Sequence, residues 1–297
     1  MNLSKGWRYM EESTAYTIHR VLSNNAVQVS GEKTGAELIL MGKGLGFGAK
    51  TGMSISPADT RIEKRFTLDD PQAQKHYQVL LEQVDSKVLD VSQDIIALIS
   101  QEFGTEELNE QVFIALPSHI QFALHRLNSH MEIVNPFLYE IQALHSREFA
   151  LAKKASELIS NSFQIEVPET EVGFLAMHIQ SAVCHISLGN IVKLTHLIQE
   201  TVHLIESETG IKVPRDSIDY IRLITHLRFA LERLLDGKIS PNPFAIKLKK
   251  TLTSEYRLAQ KIAIHIEERL GLSVPEDEVG YIVMHLYRLL QQYERLK

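Results

Sequence analysis

His119-Ile120-Gln121-Phe122-Ala123-Leu124-His125-Arg126 recurs as His226-Leu227-Arg228-Phe229-Ala230-Leu231-Glu232-Arg233. Val167-Pro168-Glu169-Thr170-Glu171-Val172-Gly173-Phe174 recurs as Val274-Pro275-Glu276-Asp277-Glu278-Val279-Gly280-Tyr281. Both blocks step by 107 residues. Between them, Asn135-Pro136-Phe137 maps onto Asn242-Pro243-Phe244, and Glu148 to Ala152 onto Glu255 to Ala259, without a gap. A repeat of that length means two copies of one domain behind a short head. The expected division is 1–66, 72–184 and 185–297. Each copy carries two histidines 59 residues apart, His119 with His178 and His226 with His285.

Within the copies the apolar spacing is helical. In 218–235, Ile218, Ile221, Ile224, Leu227, Leu231 and Leu234 form one stripe, with Arg222, His226 and Arg233 off its centre. Pro168 and Pro275 stand near helix starts, followed by glutamates where the helix dipole favours them. Val172, Leu175, Ile179 and Ala182 are expected to face inward, so each copy reads as a helical bundle.

The head reads differently. Residues 16–30 are two β-prone runs broken by Ser23-Asn24-Asn25, followed by a turn at 31–35, a third strand at 37–41, a glycine-rich turn at 42–48 and a fourth strand at 61–68. The predicted fold class is therefore α+β and multidomain: a small antiparallel β-sheet followed by two duplicated all-α bundles. A sheet this small is marginal alone, which favours a dimer.

With 297 residues, 44% of them hydrophobic, the chain buries real cores. Cys184 is the only cysteine, which excludes an intrachain disulfide and a cysteine-based metal cluster and fits a reducing, cytoplasmic setting. Residues 1–30 lack a signal-like apolar core and no run approaches ~18 apolar residues, so no membrane insertion is expected. Net charge is −6, against a broad polyanion-binding surface, but the balance is uneven. Through Phe66, nine basic residues face six acids, so the head is +3 and the rest −9. Nucleic acid, if bound, meets the head.

Gly42-Lys43-Gly44-Leu45-Gly46-Phe47-Gly48 is neither a P-loop nor a dinucleotide fingerprint, because no Gly-Lys-Ser/Thr opens a helix and no β-α-β unit surrounds it. Its bland reading is a flexible hairpin turn. Its functional reading is a loop where glycines admit a ligand to the backbone, with Lys43 for a phosphate and Phe47 for a base to stack on. The four repeated histidines read either as buried structural groups copied by duplication or as phosphoryl acceptors, since neutral imidazole offers a lone pair. Metal binding is disfavoured because no HExxH or helix-spaced carboxylate set accompanies them. No cofactor is expected. Arg126 and Arg233, each seven residues after a histidine, lie two turns along the same face, either solvated or placed to receive phosphate charge. The other histidines share no pattern; His125 even becomes Glu232 in the second copy.

On these residues the chain resembles the sugar-operon transcriptional antiterminators of the BglG/SacY type, which join a co-antiterminator RNA-binding domain to two phosphotransferase-system (PTS) regulation domains. The resemblance runs from about Tyr16 to about Tyr293. It rests on Arg20-Val-Leu-Ser-Asn-Asn25, Met41-Gly-Lys-Gly-Leu-Gly-Phe47 and Arg61-Ile-Glu-Lys64 in the head. In the copies it rests on His-Ile/Leu-x-Phe-Ala-Leu and Gly-Phe/Tyr-x-x-Met-His. It implies a homodimer gripping an imperfect hairpin in nascent leader mRNA, which prevents a terminator from forming. It also implies RNA contacts at Arg20, Asn25, Gly42, Lys43 and Phe47, and phosphorylation of His119 and His178 by the transporter's EIIB component and of His226 and His285 by HPr. Lys43-Gly-Leu-Gly-Phe-Gly48 is closer to the glucose-specific members than to the β-glucoside ones.

The chain departs from the family at several places. Residues 1–15 extend beyond the usual start, with Met10 as an alternative initiator. Ala26 stands where valine is common. Pro117-Ser118 precedes His119 where the family often has an aspartate, removing a partner able to orient the imidazole. Two other functions compete. A DNA-binding activator with the same regulatory modules needs a recognition helix that a β-like head does not supply. A phosphocarrier enzyme needs a substrate pocket.

Overall fold

The computed structural model describes residues 15–33, 35, 37–62, 64–67, 84–104, 108–109, 111–238 and 240–294. The N-terminal extension with Met10, His76 and the boundary expected between 66 and 72 lie outside these residues.

The head is a five-stranded antiparallel sheet in the order β4-β1-β2-β3-β5, from β1 (Tyr16–Ser23), β2 (Ala26–Gly31), β3 (Glu37–Met41), β4 (Ser54–Ile55) and β5 (Lys64–Thr67). Tyr16, Ile18, Val27, Val29, Leu38, Leu40 and Ile55 bury one face at the period of two that a pleated strand imposes. The register of β1 against β2 shifts between Ile18 and Arg20, a bulge that leaves both His19 and Arg20 exposed. Strand β4 escaped the sequence reading because two residues carry no alternation; Ile55 alone anchors it, opposite Tyr16.

Among the described residues, ten helices follow. The first five are α1 (Ser86–Phe103), α2 (Val112–Asn128), α3 (Leu138–Leu144), α4 (Ser146–Phe163) and α5 (Glu169–Cys184). The rest are α6 (Leu188–Thr209), α7 (Ile218–Leu235), α8 (Ala245–Thr251), α9 (Thr253–Leu270) and α10 (Glu276–Glu294). Caps fix several starts. The Asp85 carboxylate accepts from Lys87 N at α1, and Ser187 and Ser217 accept from Asn190 N and Tyr220 N at α6 and α7. Gly104, Gly210 and Gly271 stop their helices in the left-handed conformation.

The chain divides into two compact units. One comprises residues 1–134 with 151–185, and the other 135–150 with 186–297. In the first unit, α5 is buried through most of its length, including Val172, Leu175, Ile179 and Ala182 as expected. The β1–β2 turn also meets α1 there, where Asn24 Nδ2 donates to Asp90 Oδ2 at 3.1 Å.

The second unit departs from the repeat. Helix α8 packs on α9 and α10, but its first-copy counterpart α3 lies with α6 and α7. There the Tyr220 hydroxyl donates to the buried Glu140 at 2.5 Å. Helix α7 is also rotated from its expected stripe. Tyr220, Leu223, Ile224, Leu227, Ala230, Leu231 and Leu234 are buried, whereas Ile218 and Ile221 are 66% and 38% exposed. Steps of three residues fall about 60° short of a full turn, so a stripe counted 218, 221, 224 drifts around the helix.

Candidate functional site

The glycine loop is built. Gly42 N and Gly46 N donate to the carbonyls of Asn25 and Asn24 at 2.9 and 2.8 Å, and Gly44 N donates to Asn25 Oδ1 at 2.7 Å. The two-asparagine turn thus ties down three glycine amides. Leu45 drives the loop's centre into the sheet core at 1% exposure, and Gly44 and Gly48 take positive φ on either side. Gly46 has no room for a side chain, since a Cβ there would stand 2.1 Å from Ser23 O. Arg61, held by both oxygens of Asp59, reaches Gly44 O at 3.4 Å.

What the loop presents outward is Lys43 and Phe47, the latter 76% exposed, with Arg20 exposed on the neighbouring strand. Gly42 and Asn25, by contrast, are buried and act by shaping the loop.

The four repeated histidines meet in pairs. His119 on α2 and His178 on α5 stand 4.6 Å apart between ring centroids, and His226 on α7 and His285 on α10 stack at 3.7 Å. Burial, then His178 and Arg126, hold the His119 imidazole well below the usual histidine range, and burial brings His178 to about 4. Burial, then His226 and Arg288, bring His285 to about 4. For His226 the causes are burial followed by Arg233, Arg222 and Arg288. All four are therefore neutral at pH 7, the state in which a ring nitrogen offers its lone pair.

Beside each pair runs a partly buried ion pair, its glutamate buried and its arginine partly exposed, that the sequence reading missed. Arg126 Nη2 lies 2.5 Å from Glu171 Oε1, and Arg233 grips Glu278 through Nε and Nη2 at 2.8 and 2.7 Å. Both glutamates are 1% exposed. They were expected at helix starts for the dipole alone, and the arginines were expected to be solvated or open to phosphate. Instead each arginine is committed to a carboxylate. The signal was present, because Glu171 and Glu278 obey the same 107-residue step as the histidines. The other Glu171 oxygen sits 3.5 Å from His119 Nε2, placing a carboxylate from α5 beside the histidine whose preceding aspartate is missing.

Sequence comparison matches residues 16–75 to the CAT RNA binding domain and residues 93–182 and 199–289 to the PRD domain. This chain belongs to the CAT/PRD family of transcription antiterminators. Transcription antiterminator LicT of Bacillus subtilis is 32% identical over 278 residues, covering 93% of this chain and 99% of that protein. The GlcA/glcB genes antiterminator of Staphylococcus carnosus is 32% identical over 282 residues, covering 94% and 98%. The crystal structure of GlcT CAT-PRDI aligns with a TM-score of 0.50 at 38% identity, covering 57% of this chain and 98% of that one.

The two PRD histidine pairs of this antiterminator differ in access. Arg126 lies over the rings of Phe122 and Phe174 at 4.6 and 5.7 Å, and the side chain of His119 keeps 11% exposure. The second pair opens on a cleft of about 370 Å³ lined by Phe229, Arg233, Tyr281 and Met284 among others. Diethyl pyrocarbonate, which attacks accessible neutral imidazole, is accordingly expected to modify His226 and His285 about tenfold faster than His119 and His178, since the closed pair must first open locally. Peptide mapping by mass spectrometry reads this, and equal rates at the two pairs would contradict the difference in access.

The described residues of the CAT domain form strands and turns, and none of them lies in a helix of the kind that the DNA-binding alternative would use for recognition. No single described helix is long and apolar enough to cross a membrane.

Proposed function

We propose that this antiterminator grips a hairpin in the leader mRNA of a PTS sugar operon through Lys43, Phe47 and Arg20, on a loop framed by Gly42 and Asn25. Holding the hairpin prevents the downstream terminator from forming. The observation that carries this reading is the exposed phenylalanine on a pinned loop. An aromatic ring left in water on a backbone tied by three glycine amides is a stacking platform, and Lys43 beside it supplies the charge that a phosphate needs. The protein works as a cytoplasmic homodimer and as a regulator rather than an enzyme, with the division 1–66, 72–184 and 185–297 and residues 135–150 packed into the second bundle. Glucose transport is the operon we assign, on the wording Lys43-Gly-Leu-Gly-Phe-Gly48 and the 38% identity to GlcT CAT-PRDI.

Control is by phosphorylation of the paired histidines, with EIIB acting on His119 and His178 and HPr on His226 and His285. A phosphoryl group brings about two negative charges. At either pair it competes with the buried glutamate for Arg126 or Arg233, so modification loosens an ion pair that ties two helices. That is a local charge event with a structural readout.

Gel-shift titration with the leader hairpin tests the RNA surface. The wild type is expected to bind with an affinity that falls as salt rises, and Lys43→Ala with Phe47→Ala to lose about a hundredfold, from one charge contact and one stacked ring. Unchanged affinity in the double variant would place RNA elsewhere.

A further inference from the structure

The second histidine pair is flanked by two arginines that the first pair lacks. Arg222 precedes His226 by four residues on α7, and Arg288 follows His285 by three on α10, so helical spacing brings both onto the histidine face. A small recess is in fact lined by Arg222, His226, His285 and Arg288, together with Asp219. One repeat earlier, these two positions are Ala115 and Ser181. Arg233 is already committed to Glu278, whereas the ion pair of Arg222 among the described residues is a long one, to Asp219 at 4.0 Å, and both Arg222 and Arg288 are exposed at the recess.

We infer that Arg222 and Arg288 form a phosphoryl-binding site specific to the second copy, one that draws in a phosphoryl donor and holds the group on His226 or His285. This rests on the reading that the paired histidines are phosphorylated, and it adds which residues receive the charge. In the step itself, a neutral ring nitrogen attacks phosphorus and the donor's P–N bond breaks. That bond's electron pair returns to the donor nitrogen, which takes up the proton that the other nitrogen of the attacking ring gives up. The new N–P bond leaves about two negative charges facing two guanidinium groups. The first copy offers no such pair beyond Arg126, which Glu171 already clasps, so its phosphorylation depends on a docked donor protein to supply further counter-charge. The two copies thus differ in chemistry as well as in access. The second is suited to small or weakly docked phosphoryl donors and the first is not.

Phosphoramidate, a small donor that releases ammonia and needs no docking, separates these cases. The full chain and its Arg222→Gln/Arg288→Gln variant are incubated with it, and phosphohistidine at each position is quantified by mass spectrometry at low and high salt. Both arginines are exposed, so the variant is expected to melt with the wild type. The expected result is labelling of the second pair that weakens with salt in the wild type and falls about tenfold in the variant, with no change at His119 and His178. Equal labelling of the second pair in both proteins would overturn the arginine site while leaving the phosphorylation reading intact. An equal loss at both pairs would also overturn it, since the effect would not be local. If neither phosphoramidate nor HPr charged with phosphate labels His226 or His285 in the wild type, the phosphorylation reading falls and this inference with it.

Discussion

Replacing Arg126 by alanine is expected to lower the unfolding free energy by about 3 kcal/mol, because it strands Glu171 as an unpaired charge in the first bundle. Glu171 is 1% exposed, and burial already pushes its carboxyl above the ordinary 4.5 even with Arg126 beside it. The variant's loss has a definite pH dependence. A carboxyl whose folded pKa is raised binds its proton more readily folded than unfolded, so the penalty is full well above the folded pKa. It shrinks as pH falls towards 4.5, where the unfolded chain takes up the proton as well. Urea titration at pH 7.5 should therefore show the whole deficit, and titration near pH 5 only part of it.

Arg269→Ala is the matched control. It removes a pair to Glu200 at the same 2.5 Å, but with an arginine 55% exposed, and should cost no more than about 1 kcal/mol. If the two variants lose the same stability, the Arg126–Glu171 pair is not the buried clasp described above. Arg126→Ala also uncovers the first histidine pair, so its carbethoxylation should approach the rate of the second.

Gly46→Ala is expected to weaken hairpin binding by about a hundredfold or more, although it removes no side chain that touches RNA. One methyl at that position meets a backbone carbonyl at 2.1 Å, and backbone cannot turn aside as a flexible side chain can. The loop must lift, breaking the Gly46 N to Asn24 O bond, and Lys43 and Phe47 lose their frame together. Gly48→Ala is the comparison. Nothing lies within 4 Å of its Cβ, but its φ of +70° strains an L residue by about 1 to 2 kcal/mol, so binding should weaken only several-fold. Wild-type affinity in Gly46→Ala would mean that the pinned loop does not organise the RNA surface.

Much of this was legible in the chain. Strands β1, β2 and β3 follow from short β-prone runs separated by polar turns, and the helical bundles from an apolar spacing copied at a constant step. Pro168 and Pro275 mark helix starts because proline suits a position whose amide has no partner. The stripe expected on α7 holds for Ile224, Leu227, Leu231 and Leu234 but not for Ile218 and Ile221, because counting in threes ignores the 3.6-residue turn. Strand β4 was missed because two residues have no period. The glycine loop's two readings were undecided in sequence, since nothing local says that Asn24 and Asn25, about 20 positions away, take its amides.

By itself the sequence determined the organisation: a basic β head, two copies of a helical domain, and four histidines whose fixed separation marks them as paired. These depend on local periodicity and on a repeat that any faithful duplication preserves. Only the tertiary structure decided which histidine pair is closed and which opens on a cleft. It also decided that Arg126 and Arg233 are clasped by buried glutamates, and that α3 packs with α6 and α7 where its repeat α8 packs with α9 and α10. The reason is physical. Burial, and the shifted ionisation that comes with it, depend on what neighbouring helices bring within a few ångströms, and two copies of one motif meet different neighbours.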